Sequence, residues 1–396
     1  MTQFNFTLDL EEIQALINNS GANDLAKQML TTIFNQLMEK QRTDYINVEE
    51  YSRDDNRVSQ RNGFYERGYT TRIGTLELKV PRTRDGEFSP TIFERYQRNE
   101  KALISAMLEM YVQAVSTRKV SKVIEELCGH KVSKSFVSSL TSELDIIVGE
   151  FLSRRFEKKY PFIFSDVLYI KVRENRRVVS KAFHVVLGIN EDGERELLGF
   201  SISDIESYDS WKSIYQSLLD RGLEGVKLVV SDAHKGESKA IKECFTGAAW
   251  QRCQVHFMRN VFDRLPKKNT ELVRSELKSL FKTTNIEVAR SMRDDLVNKY
   301  SDQYSSMIEC LDEGFEDGFQ YCAIEETNYS RLKSTNMLER LNSEIRRREK
   351  VVRIFPNVNS ALRLIGAVLI DTHEEWTSSF RQYISFTEET KKWINN

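Results

Sequence analysis

The order of strand-like and helix-like segments after Pro161 constrains the fold more than any other feature of this sequence. Five apolar segments have the length and the alternation that are typical of β-strands. They occupy residues 162–172, 181–189, 196–202, 226–232 and 249–255. Helical patterns follow the third, fourth and fifth segments, and we expect Ser210 to cap the first of these helices. This order predicts an α/β domain with a mixed five-stranded sheet.

Three strands followed by helix, strand, helix, strand and a later helix is the order of a ribonuclease-H-like core. Residues 267–330 interrupt that order, because they have a helical pattern throughout and carry 13 acidic and 8 basic side chains. The last core helix begins near Ser334. We therefore predict a ribonuclease-H-like core in residues 161–266 and 331–375, an all-α insertion at 267–330 and a C-terminal tail at 376–396.

The part of the chain before this core has a mainly helical pattern. Apolar residues at helical spacing predict a helix over residues 8–41. The segment TRIGTLELKV at 71–80 predicts a short pair of strands around Gly74, and a basic loop follows from Pro81 to Pro90. We assign residues 1–100 to a helical region with a small β element.

Residues 101–160 contain the pattern of a helix-turn-helix. Ser116 can cap a first helix, Gly129 can end it in the left-handed conformation, and Ser133 can cap a second helix. Two helices joined by a short turn are typical of DNA-binding domains, although an ordinary helical hairpin has the same pattern. The candidate DNA contacts in this region are Arg118, Lys119, Lys122, Lys131 and Lys134.

Charge is segregated along the chain. The formal net charge is −1, which alone would disfavour a nucleic-acid partner, yet the run RRREKVVR at 346–353 carries five basic residues against one acid. Arg347 and Arg348 in this run, together with Lys235, are further candidate contacts for DNA phosphates.

Composition and patterning favour a cytoplasmic protein. The five cysteines are scattered without a disulfide pattern, which fits a reducing compartment. No apolar run reaches membrane-spanning length, and the acidic, amphipathic N-terminus does not have the pattern of a secretory signal. We therefore expect no membrane partner.

Two aspartates stand where such a core would carry catalytic carboxylates. Asp166 interrupts the apolar first strand, where a buried charge is costly unless it is paired or bound to metal. Asp232 ends the fourth strand in VVSDAHKG, where capping of the next helix is the more usual role of an aspartate. Carboxylates are ligands that Mg²⁺ prefers, and phosphodiester chemistry often uses two such ions about 3.5–4 Å apart. Together the two residues indicate a metal-dependent phosphodiester site.

A third carboxylate is expected from the helix STNMLERLNSEIRRREK. Its apolar stripe runs from Met337 to Ile345. Glu339 and Arg346 are seven residues apart, about two helical turns, and therefore share the face opposite this stripe. Glu339 is the preferred third carboxylate, and Arg346 can contact phosphate or orient it. From this helix alone, a solvated and salt-bridged face explains the same pattern.

Cys253 and His256 form a C-x-x-H pair in QRCQVHFMRN. Two ligands do not make a zinc site, and the sequence shows no second pair at zinc spacing. A buried thiol beside a helix-capping histidine explains the pair equally well. His234, two residues after Asp232, receives no specific role.

Several strings resemble the bacterial insertion-sequence transposases of the Mutator superfamily. These are SDAHKG, WQRCQVHFMRN and STNMLERLNSEIRRRE, and the segments that begin RNGFYERGYTTRIG and EMYVQAVSTRKVSK resemble the same family. The likeness therefore extends over nearly the whole chain. The family pattern N-x-x-E-x(6)-R is met by Asn336, Glu339 and Arg346, and its C-x-x-H element by Cys253 and His256.

The resemblance implies a catalytic Asp-Asp-Glu triad, here Asp166, Asp232 and Glu339. It also implies two Mg²⁺ or Mn²⁺ ions, terminal inverted repeats bound by an N-terminal domain, target DNA, and a homodimer or higher homo-oligomer in the synaptic complex. We therefore predict a nucleoid-associated DNA transposase that cleaves and transfers strands. The alternatives are a ribonuclease-H-like nuclease or resolvase that cleaves without joining, and a non-catalytic DNA-binding regulator.

Overall fold

The computed structural model describes residues 22–50, 52, 57–71, 73–91, 93, 101–113, 115–128, 132–324, 331–379 and 382–395. The chain divides into two compact units, Met1–Ser142 and Glu143–Asn396. Across the described ranges, no helix combines the length and the apolar character that a membrane span requires.

The first unit contains a helix packed on a β-hairpin. Helix α1 (Ala22–Ile46) covers strands β1 (Arg61–Thr71) and β2 (Gly74–Thr83), with Met38 buried against Leu78 and its neighbours. The hairpin predicted around Gly74 is present, and it is longer than expected at both ends. The first part of the helix predicted over 8–41 lies outside the described residues.

Three further helices of this unit share one apolar cluster. They are α2 (Lys101–Val112), α3 (Thr117–Cys128) and α4 (Lys134–Thr141). The hydroxyl groups of Ser116 and Ser133 accept backbone hydrogen bonds from the first turns of α3 and α4, as predicted. Residues 129–131 between these helices lie outside the described residues. The helices agree with the predicted pattern, and their role in DNA binding stays a prediction.

The second unit is built on a mixed five-stranded sheet, as predicted. Its strands are β3 (Phe162–Glu174), β4 (Arg177–Ile189), β5 (Arg195–Ser203), β6 (Leu228–Ser231) and β7 (Ala249–Arg252), in the order β5-β4-β3-β6-β7. Strand β3 pairs antiparallel with β4 over its whole length, but it pairs parallel with β6 only from Phe162 to Phe164. Beyond Phe164, β3 no longer pairs with β6 along this edge.

Helices cover both faces of this sheet. On one face, α6 (Tyr208–Asp220) and α7 (Lys235–Cys244) bury an apolar cluster centred on Trp211. On the other face, α13 (Val358–Ser378) packs against β5 and α5 (Leu144–Ser153). The cap of α6 is Ser207 and not Ser210, because Ser210 lies in the first turn, where its amide and hydroxyl bond to Ser207 in a capping box.

The remaining helices of the second unit follow β7. They are α8 (Gln254–Asp263), α9 (Glu271–Leu280), α10 (Ile286–Tyr300), α11 (Ser305–Gly318), α12 (Asn336–Val352) and α14 (Glu388–Asn395), with a short 3₁₀ turn at Gln320–Ala323. The described part of the acidic segment is thus helical, as expected. Two boundaries differ from the prediction. Helix α5 packs with α13, so the two units divide at Ser142 and not at residue 160. Helix α14 lies within residues 376–396, where we expected a C-terminal tail.

A glycine contact joins the acidic helices to α8. The ring of Phe257 on α8 is fully buried against Gly314 and Gly318 of α11. A β-carbon at Gly314 would come within 2.6 Å of this ring and closer still to the Arg252 guanidinium. Because α8 carries His256, this contact helps to fix one side of the predicted catalytic site.

We expect Gly314→Ala to destabilise the second unit by about 1–3 kcal/mol through overpacking. The matched control is Gly149→Ala in α5, where an added β-carbon would meet nothing within 4 Å. Since alanine favours helix over glycine, the control should stabilise by roughly 0.5–1 kcal/mol. Thermal unfolding of both variants measures the difference, and equal shifts in the same direction would contradict the packing described for Phe257.

Candidate active site

The three predicted carboxylates line one cavity of about 630 Å³ in the second unit. Asp166 comes from β3, Asp232 is the residue after β6, and Glu339 lies in the first turn of α12. Other predicted residues that line this cavity are His234, His256 and Arg346. The fold thus brings together side chains that are far apart in sequence.

Asp166 is held by two hydrogen bonds. Its Oδ1 accepts from the Val167 amide at 2.8 Å, and its Oδ2 accepts from Asn342 Nδ2 at 2.7 Å. Burial raises the pKa of the Asp166 carboxyl, whereas these two donors and His256 favour its charged form. Among the described residues no lysine or arginine forms an ion pair with it. A half-buried carboxylate without such a pair is a suitable ligand for a divalent cation.

Asp232 does not cap the helix that follows it. Its Oδ1 accepts from the Ala233 amide at 2.7 Å, and the cap of α7 is His234, whose Nδ1 accepts from the Glu237 amide at 3.3 Å. The capping explanation for Asp232 is therefore wrong. The second oxygen of Asp232 points toward His256, with 3.7 Å between Oδ2 and Nδ1. This leaves Asp232 half-exposed and directed into the cavity.

Helix α12 presents Glu339 as the sequence predicts. Its apolar stripe is buried, while Glu339 and Arg346 are exposed and line the cavity. Asn336 is exposed at the start of the helix and is not one of the residues that line the cavity. Asn342 is the residue of this helix that contacts Asp166. The sequence pattern did not predict this contact. Only the packing of α12 beside β3 reveals it.

Cys253 connects the start of α8 to the start of α12. It occupies the N-cap position of α8, and its buried Sγ lies 3.4 Å from both the amide nitrogen and Oγ1 of Thr335, the N-cap of α12. Burial alone would raise the pKa of Cys253, but His256 and Thr335 outweigh burial and lower it. The described residues offer no second pair of ligands that would complete a zinc site.

His256 faces the carboxylates rather than capping a helix. The Cys253 thiol and then the charges of Asp232 and Asp166 raise the pKa of His256 to about 9, against an opposing effect of burial. Its Nδ1 is buried without a hydrogen-bond partner, 3.7 Å from Asp232 Oδ2. The helix-capping alternative is therefore wrong for His256. An unsatisfied polar atom beside two carboxylates marks a site that a ligand can complete.

The oxygen donors of this cavity suit Mg²⁺ or Mn²⁺. Asp232 is close enough to raise the pKa of Asp166, and the charges of both aspartates raise the pKa of His256. Over the described residues, however, no three acidic, histidine or cysteine side chains are close enough together to form a complete metal group. Glu339 shares the cavity without contacting the two aspartates. The carboxylate oxygens fit a divalent ion. Of the three acids, Asp166 and Asp232 are the two that act on each other electrostatically.

A buried acid lies behind Asp166 and was missed by the sequence analysis. Glu237 is 1% exposed, and its Oε1 accepts from Ser165 Oγ at 2.6 Å and from the Tyr215 hydroxyl at 2.8 Å. Burial raises the pKa of Glu237 to about 8, although both donors lower it. Ser165 precedes Asp166 on β3, so this network ties the strand to α7. A glutamate in a first helical turn gives no sequence signal of such burial.

The predicted DNA contacts differ in exposure. Arg118, Lys119, Lys122, Lys134 and Lys235 are exposed, and Lys131 lies outside the described residues. Arg347 is exposed and pairs with Glu344, whereas Arg348 is buried and pairs with the same carboxylate. Arg348 is seven residues from Leu341 and so shares the buried face of α12. It is therefore not available to a phosphate, contrary to the prediction.

Comparison with known proteins gives a consistent result over the whole chain. The family model described as "Transposase, Mutator family" matches residues 1–379. The transposase for insertion sequence element IS256 in transposon Tn4001 of Staphylococcus aureus is 59% identical over 389 residues, which cover 98% of this chain and 100% of that protein. The transposase for insertion sequence element ISRM5 of Rhizobium meliloti (strain 1021) is 41% identical over 365 residues, 92% of each chain.

Among solved structures, the Mos1 transposase paired-end complex with left transposon end aligns with 61% of this chain and 82% of that chain. The identity is 12% and the TM-score is 0.17, and no conclusion about the fold rests on a similarity at this level.

Glu237 predicts a pH dependence of stability. Its pKa rises from 4.5 to about 8 on folding, so the fold favours the protonated form. The resulting stabilisation is complete below about pH 4.5 and is lost as pH rises through about 8. We expect Glu237→Gln, which stays neutral, to melt well above the wild type at about pH 9 and close to it at about pH 5.

Thermal unfolding in metal-free buffer measures this difference, with the exposed Glu271→Gln as the matched control. A difference between wild type and Glu237→Gln that does not change with pH would show that Glu237 is not a buried neutral acid.

Proposed function

Because the chain belongs to the Mutator family of transposases, we propose that it cleaves DNA at the ends of an insertion sequence and transfers the freed strands to target DNA. The observation that carries this proposal is the cavity that Asp166, Asp232 and Glu339 line from three separate elements. We regard the sheet as the ribonuclease-H-like core that the order of its elements predicted.

The catalytic role we propose for the three carboxylates is to hold one or two Mg²⁺ or Mn²⁺ ions. Such ions, when bound, activate a water molecule or a 3′-hydroxyl as the nucleophile and neutralise charge at the scissile phosphate. Asn342 orients Asp166 through the 2.7 Å hydrogen bond, and His256 stands beside Asp232. These contacts hold the two carboxylates in fixed positions at the cavity.

Cations at the rim of this cavity are suited to binding the phosphate. Arg346 and Arg259 are exposed and line the cavity together with Glu339. A guanidinium can donate two parallel hydrogen bonds to phosphate oxygens. We assign both arginines to the DNA strand that is cut.

The first unit is the part we propose for binding the terminal inverted repeats. The exposed cations on α3 and α4 offer phosphate contacts along a helix-turn-helix. Pairing of two element ends requires at least two copies of the chain, so we propose a homodimer or a higher homo-oligomer, acting at the bacterial nucleoid.

Alanine substitution of each acid tests the triad. We expect Asp166→Ala, Asp232→Ala and Glu339→Ala to abolish metal-dependent cleavage while binding to the terminal repeats stays intact, because each change removes an oxygen donor of the second unit and leaves the helices of the first unit unchanged. Gel-based cleavage and strand-transfer assays on the element's own ends, with Mg²⁺ or with a chelator, measure this. Full cleavage by any of the three variants would refute the triad.

The same assays distinguish the alternatives. A nuclease would cut the ends without joining them to a target, and a DNA-binding regulator would bind the ends without cutting in any divalent metal.

Asn342 is expected to act as a positioning residue. We expect Asn342→Ala to lower the cleavage rate about 10- to 100-fold, the usual cost of losing a partner that orients a metal ligand. Asn342→Asp should lower it further, because it sets a like charge beside Asp166. The control is Arg340→Ala on the exposed side of the same helix. Equal rates for Asn342→Ala and the control would exclude the positioning role.

A further inference from the structure

Two rows of exposed side chains lead away from the catalytic cavity to a second cavity of about 760 Å³. One row follows β3 and the other follows α12. We call the cations of these rows that lie beyond the catalytic cavity the basic track, which consists of Lys171, Arg173, Lys350 and Arg353. No role in the triad chemistry has been assigned to this surface.

The β3 row arises from strand alternation. Tyr169, Lys171 and Arg173 are exposed, while Ile170 and Val172 between them are buried. Tyr169 lines the catalytic cavity, and Lys171 lines the second one. Seven residues separate Asp166 from Arg173, a distance of about 23 Å along a strand.

The α12 row arises from helical periodicity. Arg346 follows Glu339 by seven residues and so continues its face over about 10 Å, and Arg353 is the residue that directly follows the helix. Arg346 lines the catalytic cavity, whereas Lys350 and Arg353 line the second one. Both rows therefore connect the same two cavities.

The two rows are fixed to each other by backbone hydrogen bonds. The Phe355 amide donates to the Lys171 carbonyl at 2.9 Å, and the Arg173 amide donates to the Phe355 carbonyl at 2.9 Å. Phe355 itself is 1% exposed. The segment after α12 is thus paired with the free edge of β3, and the cations form one rigid surface.

The cations of the track are free of acidic partners within the part of the chain that the structure describes. In the acidic insertion, by contrast, Arg290 pairs with Glu316 and Lys299 pairs with Glu276. Exposed cations without acidic partners are available to contact the phosphates of a DNA strand. Exposed Tyr169 and Val178 add apolar contact surface beside them.

We propose that the basic track binds the phosphate backbone of the target DNA duplex during strand transfer, an inference that rests on the proposed function. The exposed side chains that make up the track are lysines and arginines, which are suited to contacting phosphate oxygens along a duplex. Of the DNA segments in the reaction, the target is the one whose sequence need not be fixed, and it must reach the same phosphate-binding cavity as the element end.

The triple variant Lys171→Gln, Arg173→Gln, Lys350→Gln tests the track and leaves the cavity intact. Its control is Lys267→Gln, Lys268→Gln, Lys278→Gln, which removes three exposed cations from the acidic insertion. Binding of the full chain to a labelled duplex of arbitrary sequence is measured over a range of salt concentrations. We expect the slope of log affinity against log salt to fall by about 0.9 for each lost contact in the track variant. The control should keep the wild-type slope.

Strand transfer of a pre-cleaved element end into plasmid DNA gives the functional measurement. We expect the track variant to lose at least about tenfold in strand transfer, in line with the loss of several phosphate contacts, while cleavage of an uncut end stays close to wild type. A wild-type salt slope, or cleavage that falls in parallel with strand transfer, would overturn the proposal. If the wild-type chain binds arbitrary duplex through the track but does not cleave the element ends, the proposed function is contradicted, whereas DNA binding by the track is not.

Photocrosslinking tests the surface without depending on the triple variant. A benzophenone amino acid at Arg173, with the same group at Lys278 as the control, is irradiated with separately labelled target and element-end DNA. We expect crosslinks from position 173 to the target duplex only. Crosslinks to the element end, to another protein chain, or equally from both positions would overturn the assignment.

Discussion

The short pairing between β3 and β6 is the constraint on which the proposed active site depends. Strand β6 leaves β3 after Phe164, two residues before Asp166. This opens the edge of β3 at the point where its carboxylate needs space, and it ends β6 at Ser231, immediately before Asp232. The free edge is then covered by α12, which supplies Asn342 to Asp166 and Glu339 to the cavity. A longer β6 would occupy the space beside the carboxylates that line the cavity.

Several kinds of contact fix the strands and helices that carry the residues of the cavity. Thr335, Cys253 and His256 form a chain from the start of α12 to Asp232, and it passes through a buried thiol. Glu237, bonded to Ser165, ties β3 to α7 from behind. The insertion contributes through α11, whose glycines receive the ring of Phe257. Residues far from the chemistry therefore position the acids.

Periodicity made much of this arrangement predictable, and tertiary contacts account for what it missed. Strand order and the face of α12 follow from repeats of two and about 3.6 residues, so the sheet was predictable and Glu339 could be preferred to other acids of its helix. The cap at His234, the bond from Asn342 and the burial of Glu237 depend on neighbours brought together only by folding. Arg348 was predicted to contact DNA because it lies in a basic run. Its helical spacing from Leu341 instead places it on the buried side of α12.

The central claim is that Asp166, Asp232 and Glu339 hold metal at one phosphate. Hydroxyl radicals generated by Fe²⁺ in place of Mg²⁺ cut a protein backbone close to the bound ion, and mapping these cuts on the complex with an element end tests the claim most directly. Cuts near all three residues, absent in Asp166→Ala, are the predicted result. Cuts near the two aspartates with none near Glu339 would contradict it.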